Sequence, residues 1–311
     1  MTSKVDVSVI LVSWNTRDLV VECLKSIPEA LGDIYGDVWV VDNASTDATV
    51  ETLRKDFPAV HLVINQRNVG FSAANNQAIV ASSGRYVLLL NSDTVAAPVS
   101  IAHLVRFADE QPRAGVVGPM LLNPDGSFQS SFCDFPSFTN ELLSATGIGR
   151  RLINPDYPGY DFAHAQTARR VGYVAGACML VRREAIEQVG LMDESYFMYS
   201  EEVDWCYRMW KAGWEVWFTP EAKVIHHGGQ STRQWRHAML RSLYRSKVHF
   251  FRKHYGEGSA FRLQMALFLV LQVKWLLARF VLGDIGPAIR WRDLNDREPR
   301  IAYQPALSQE N

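Results

Sequence analysis

Three places in this chain set acidic or imidazole side chains where they could do chemistry. The apolar run YVLLL stops on Asn91-Ser92-Asp93, the stretch SEEVDW puts Glu201, Glu202 and Asp204 in the first turn of a helix, and AKVIHHGG ends a strand on His226-His227. Each alone has an ordinary reading: Asn-Ser-Asp leaves a strand as a turn, and carboxylates suit a helix N-terminus. Taken together they make a divalent-metal and general-base site. Oxygen ligands suit Mg²⁺ or Mn²⁺, and a His ligand tilts the choice toward Mn²⁺. On that reading Asp93 is a carboxylate held rigidly by a buried sheet and turned toward a metal-bound phosphate.

The elements needed to position these groups are legible from periodicity. Short β-branched runs alternate with helical patterns: VSVILV, a helix from about Arg17 to Leu31, VWVV, a helix after Asp47, VHLVI, a helix from about Phe71, then YVLLL. Strands joined by helices run parallel, and ligands gather beyond their carboxyl ends. Ser13-Trp14-Asn15, Asp42-Asn43 and Asn91-Ser92-Asp93 therefore share one edge. Ser45 and Asp47 fit a helix cap, and Asn76 a local bond. Beyond Pro98 come a helix to about Glu110, a strand AGVVGP and a hairpin turn at Asn-Pro-Asp-Gly, which predicts a mixed second half. Residues 133–170 show little periodicity and read as a long surface loop, either ordering over a ligand or loosely packed. Trp205, Trp210, Trp214 and Trp217 read as packing aromatics, and Cys178 and Cys206 as buried apolar groups.

From Gln234 to Tyr255 a basic helical pattern leads into FRLQMALFLVLQVKWLLARFVLG. That segment has the length of a bilayer span, but Gln264, Gln272, Lys274 and Arg279 interrupt it, favouring a helix lying in the interface. A helix packed on the catalytic domain, or pairing two chains into a homodimer, is the competing expectation. The domain reading is residues 1–233 as the catalytic unit and 234–311 as a helical extension. A net charge of −1 over 311 residues argues against a nucleic-acid binder acting through a general basic field. Four scattered cysteines without a C-x-x-C pair read as reduced thiols, and the N-terminus lacks a signal-peptide pattern, so the expected setting is cytoplasmic.

In order and spacing, VSVILVSWNT, VVDNASTD, NVGFSAANN, YVLLLNSD, VAGACMLVRREA, GLMDESYFMYSEEVDWCYR and VIHHGG resemble an inverting nucleotide-sugar glycosyltransferase of family 2, nearest its bacterial rhamnosyltransferase-like members, over residues 5–232. The resemblance implies an α/β GT-A fold: a Rossmann-like mixed central sheet, flanking helices and a helical C-terminal extension. It implies that Asp42 accepts from a pyrimidine N–H, with Ser13, Trp14 and Asn15 around base and ribose. Asn68, Gly70 and Asn75 would line nucleotide and sugar, with Asn91 and Ser92 beside them. Asp93 and His226 would hold the metal, and Gly176 and Ala177 would floor the acceptor side. Glu202 matches the catalytic base, with Glu201 beside it and Asp204 in reserve.

Two positions depart from the pattern. Asn91 replaces the first Asp of D-x-D, and Glu202 is one methylene longer than the usual Asp. The implied reaction moves a sugar, L-rhamnose from dTDP-L-rhamnose ahead of UDP-linked hexoses, to a saccharide or lipid-linked acceptor in cell-surface polysaccharide synthesis. The implied setting is the cytoplasmic face of the inner membrane, with the protein peripheral to it. The rival readings are a sugar nucleotidyltransferase, which would want a glycine-rich phosphate loop where SWNTRD has no glycine, and a degenerate nucleotide-binding scaffold.

Overall fold

In a computed structural model of the chain, residues 5–228, 236–282 and 289–295 are described, so the expected domain boundary at 233/234 and Gln234 itself lie outside them. In chain order the elements begin β1 (Val7–Ser13), α1 (Arg17–Leu31), β2 (Gly36–Asp42), α2 (Thr49–Asp56), β3 (His61–Ile64), α3 (Phe71–Ala81) and β4 (Tyr86–Leu90). β5 (Thr94–Ala96), α4 (Ser100–Glu110), β6 (Ala114–Leu122), β7 (Phe128–Gln129) and β8 (Phe132–Cys133) follow. Next are α5 (Phe138–Thr146), α6 (Ile148–Leu152), β9 (Arg169–Arg170), β10 (Tyr173–Val174), β11 (Cys178–Arg182), α7 (Arg183–Val189), α8 (Glu201–Lys211) and β12 (Glu215–His226). α9 (Arg236–Tyr255) and α10 (Glu257–Leu282) close the described chain, apart from a short 3₁₀ turn at Trp291–Leu294.

The main sheet runs β3-β2-β1-β4-β11-β6-β12-β5. β3, β2, β1 and β4 are parallel; β11 runs antiparallel between β4 and β6. β4 is apolar throughout because both of its faces are covered. Leu88 and Leu90 pack with α1 and α4, and Val87 and Leu89 pack with α3 and α8.

Register brings the strand ends together. Ser13 stands opposite Asp42 on β2, and Asp42 opposite Ile64 on β3. The antiparallel entry of β11 sets the Ala177 carbonyl to accept from the Asn91 N–H at 2.9 Å. β12 arrives beside β5 with His226 opposite Thr94, one residue past Asp93.

The expected loop at 133–170 differs from the structure, which forms α5 and α6 there. Ser137 caps α5 by accepting from the Asn140 N–H, and Ala145 of α5 packs into a core shared with Tyr196, Val203 and Tyr207 and with Val248, Phe250, Leu263 and Leu267 of α9 and α10. A helix stabilised by partners distant in sequence leaves little local signal. The Asn-Pro-Asp-Gly turn forms as expected, the Gly126 N–H donating to Asn123 O with φ +81°.

Candidate active site

A cavity of about 310 Å³ opens at the carboxyl edge of the sheet. Its wall includes Trp14, Asn68, Gly70, Asn91, Ser92, Asp93, Gly176, Ala177, Glu201, Glu202 and His226. Fragments scattered from residue 14 to residue 226 thus meet at one place. Among the sequence-derived candidates, Ser13, Asn15, Asp42, Asn75 and Asp204 do not line it.

Each of those five is engaged nearby. The Ser13 hydroxyl lies 3.1 Å from Thr16 Oγ1, which lies 3.1 Å from Ser92 Oγ, so it braces the Asn91–Asp93 turn. Asn15, at φ +52°, staples two loops: Ser45 Oγ accepts from its N–H, and its Oδ1 accepts from the Thr46 N–H. Asn75 donates to Phe71 O within α3. Asp42 accepts from the Ser45 N–H through Oδ2, while its buried Oδ1 has no hydrogen-bond partner. Asp204 is fully buried, with Arg208 Nε at 2.8 Å and Lys253 Nζ and His254 Nε2 each at 2.7 Å. It joins α8 to α9 and faces no solvent.

At the cavity's other carboxylate group the backbone is bent sharply. Tyr199 and Ser200 both adopt left-handed φ, +72° and +65°, immediately before Glu201 opens α8. Such conformations persist only when their surroundings enforce them. Oε2 of Glu201 and Oε2 of Glu202 are both buried without a hydrogen-bond partner. Burial pushes Glu202 up to about 7, and burial plus the neighbouring Glu202 charge pushes Glu201 well above the carboxylate range. A carboxylate with one oxygen unbonded and poised near neutrality is suited to taking a proton. Gly176 keeps the space beside it open, since a methyl there would touch Glu202 Cβ, Cγ and Cδ at 3.6–3.9 Å.

His226 Nε2 lies 3.4 Å from Asp93 Oδ1, and its Nδ1 lies 2.7 Å from Gln129 Oε1. With Nδ1–H donating to Gln129, the Nε2 lone pair is turned toward Asp93, the usual orientation of a metal-binding imidazole. Among the described residues no group of three or more His, Cys, Asp or Glu gathers here. The donor set therefore fits a cation that takes its remaining ligands from a diphosphate and water. Sequence reasoning missed Gln129, whose only cue was the hairpin that folds β7 back on β6. Asn43, placed at the strand-end edge by the sequence but given no role there, donates to Asn68 Oδ1 and to Gly70 O and so shapes the cavity wall.

Asp47 bonds locally, accepting from the Thr49 N–H, and also accepts from the Arg17 N–H at the start of α1. The N-cap of α2 is Ala48, however, and Ser45 accepts from Asn15 rather than from the helix. Asn76 differs: it bonds Met192 and Glu194 rather than a local group, tying α3 to the segment before α8. Trp205 and Cys178 are buried as expected, whereas Trp210 is about half exposed, its ring resting on Phe135 and Tyr207.

The model of the family described as "Glycosyl transferase family 2" matches residues 8–190, more than half of the chain. The chain belongs to this family. The transferase is 35 % identical over 213 residues to N-acetylglucosaminyl-diphospho-decaprenol L-rhamnosyltransferase of Mycobacterium tuberculosis (strain ATCC 25618 / H37Rv), covering 63 % of this chain and 67 % of that one. It is 24 % identical over 198 residues to dTDP-rhamnosyl transferase RfbF of Shigella flexneri, covering 63 % and 61 %. In fold it resembles the mannosyltransferase PcManGT of Pyrobaculum calidifontis, solved with GDP-Man and Mn²⁺, at a TM-score of 0.57 and 18 % identity over 91 % of this chain and 77 % of that one. The match to GalNAc-T7, solved with UDP, GalNAc and Mn²⁺, has the same TM-score at 16 % identity and covers 81 % of this chain and 48 % of that larger one. The transferase thus has the GT-A fold, a mixed sheet with flanking helices.

Proposed function

We propose that the transferase moves L-rhamnose, with inversion, from dTDP-L-rhamnose to a saccharide carried on a polyprenyl diphosphate. The observation that carries this reading is one cavity holding both the Asp93–His226 pair and a near-neutral Glu202 with one oxygen unbonded. The choice of sugar and acceptor leans on the relatives, one named for transfer of L-rhamnose to a decaprenol-linked N-acetylglucosaminyl diphosphate and one for dTDP-rhamnosyl transfer. Four unpaired cysteines fit a reducing, cytoplasmic setting.

Asp93 and His226 are assigned to hold a divalent cation, Mn²⁺ or Mg²⁺, which when bound neutralises charge on the departing diphosphate. Asp42 Oδ1 is a buried acceptor without a donor, the group assigned to accept from the N–H of a pyrimidine base. Trp14 and the Asn68–Gly70 segment wall the donor end, and Gly176–Ala177 leave room for the acceptor. Glu202 takes the proton of the acceptor hydroxyl as that oxygen bonds to the anomeric carbon. The bond from that carbon to the diphosphate oxygen breaks on the opposite face, and one displacement inverts the centre. Asp204 is spent on Arg208, Lys253 and His254 and faces away from the cavity, so the base role is given to Glu202.

The test is calorimetric titration of dTDP-, UDP- and GDP-sugars with Mn²⁺, with Mg²⁺ and with EDTA, followed by transfer to an N-acetylglucosaminyl polyprenyl diphosphate. Metal-dependent binding of dTDP-L-rhamnose and a rhamnosylated lipid product are expected. Selective binding of a UDP- or GDP-sugar would replace the donor, and binding without turnover would favour the scaffold.

A further inference from the structure

The two C-terminal helices present a surface that the transfer reaction does not use. α10 buries one face: Ala260, Leu263 and Leu267 are fully enclosed in the core shared with α5, α8 and α9. Its opposite face carries Met265, Leu269, Val273, Leu276, Leu277 and Phe280, between 41 % and 91 % exposed, at spacings of three and four. That is a continuous helical stripe of large apolar side chains in water. The segment Glu257–Phe280 is long and apolar enough to cross a bilayer, but the packed inner face and the charges at Lys274 and Arg279 hold it flat against the protein.

The stripe is widened by a second element. Lys274 Nζ stands 3.9 Å from where a Cβ on Gly147 would be, so α6 starts alongside α10, and α6 and the residue after it expose Ile148, Leu152 and Ile153. Past Glu257, which pairs with Arg252, the charge within both segments has a single sign. Neither Gly258 to Leu282 nor Ile148 to Ile153 contains an Asp or Glu, while Arg150, Arg151, Lys274 and Arg279 are exposed. A second copy of the chain on this face would bring like-charged rims together, whereas an anionic lipid surface complements them.

We infer that the outer face of α10, with α6, is a docking surface for an anionic lipid bilayer, α10 lying in the headgroup plane. This rests on the transferase reading for its purpose, because α9, which carries α10, also supplies Met239 to the cavity wall and so links the lipid surface to the place where a lipid-linked acceptor would react. Binding itself is measured without turnover, so the two readings fail separately.

The full chain is floated with phosphatidylcholine vesicles and with phosphatidylcholine–phosphatidylglycerol vesicles at low and high salt. Binding to the anionic vesicles that weakens with salt is expected. Lys274→Ser with Arg279→Ser should lower that partition by roughly tenfold or more. Leu269→Gln, Val273→Gln and Leu277→Gln together should abolish it, while circular dichroism and transfer to a water-soluble acceptor stay unchanged. Failure of the parent chain to float, or equal flotation of the triple variant, overturns the inference. So does light scattering that shows a dimer which the triple variant splits.

Discussion

At the scale of single residues the site is a matter of which atoms are left without partners. Glu202 keeps one oxygen unbonded and sits near 7 because burial disfavours its charge. The base works only when ionised, so the transfer rate should rise with pH through about 7 and level off above it. Glu202→Gln should retain donor affinity in calorimetry and lose about 10²–10⁴-fold in kcat. Gln129 accepts from the His226 ring in the proposed tautomer. Gln129→Ala should therefore weaken Mn²⁺ binding by about 10–100-fold in metal titration, and unchanged affinity would remove it from the site.

Elements decide whether those residues meet. The N-terminus of α3 and the loop before α8 interlock: the Phe71 N–H donates to Phe197 O, and the Ser72 hydroxyl donates to Tyr196 O. Gly70 makes that approach possible. At φ +90°, a Cβ there would meet Phe197 O and Cδ2 at 2.9 Å. Gly70→Ala should cost more than about 1 kcal/mol in urea unfolding, from backbone conformation alone before the clash is added. β1, α1, β2, α3 and β4 were all legible in the sequence, because alternation and helical periodicity are local signals. α5 and α6 were not, since α5 is supported by α9 and α10, and α6 by α5.

Across the whole molecule, Asp204 ties the sheet-bearing part to the C-terminal helices. Burial would raise this carboxyl, yet the His254 contact and the charges of Arg208 and Lys253 outweigh it and hold it below its ordinary range. A carboxyl depressed in the folded state stabilises above its unfolded pKa, about 3.9, and that stabilisation is lost as pH falls through the folded value. Acid unfolding followed by circular dichroism should thus be less steep in Asp204→Asn. Asp204→Ala, which removes the buried acceptor shared by Arg208, Lys253 and His254, should cost roughly 1–3 kcal/mol near neutral pH.

The sequence by itself determined the strand and helix order of the first half, the family, and the motifs whose residues wall the cavity, because these depend on side-chain type and short-range period. Only the tertiary structure decided which members of each motif reach the cavity. Glu202 faces it while Asp204, half a helical turn on, is turned into the α8–α9 contact; Asp93 reaches it while Ser13 is spent bracing the turn. Direction around a helix and register across a sheet follow from packing against distant partners. A motif read along the chain contains neither.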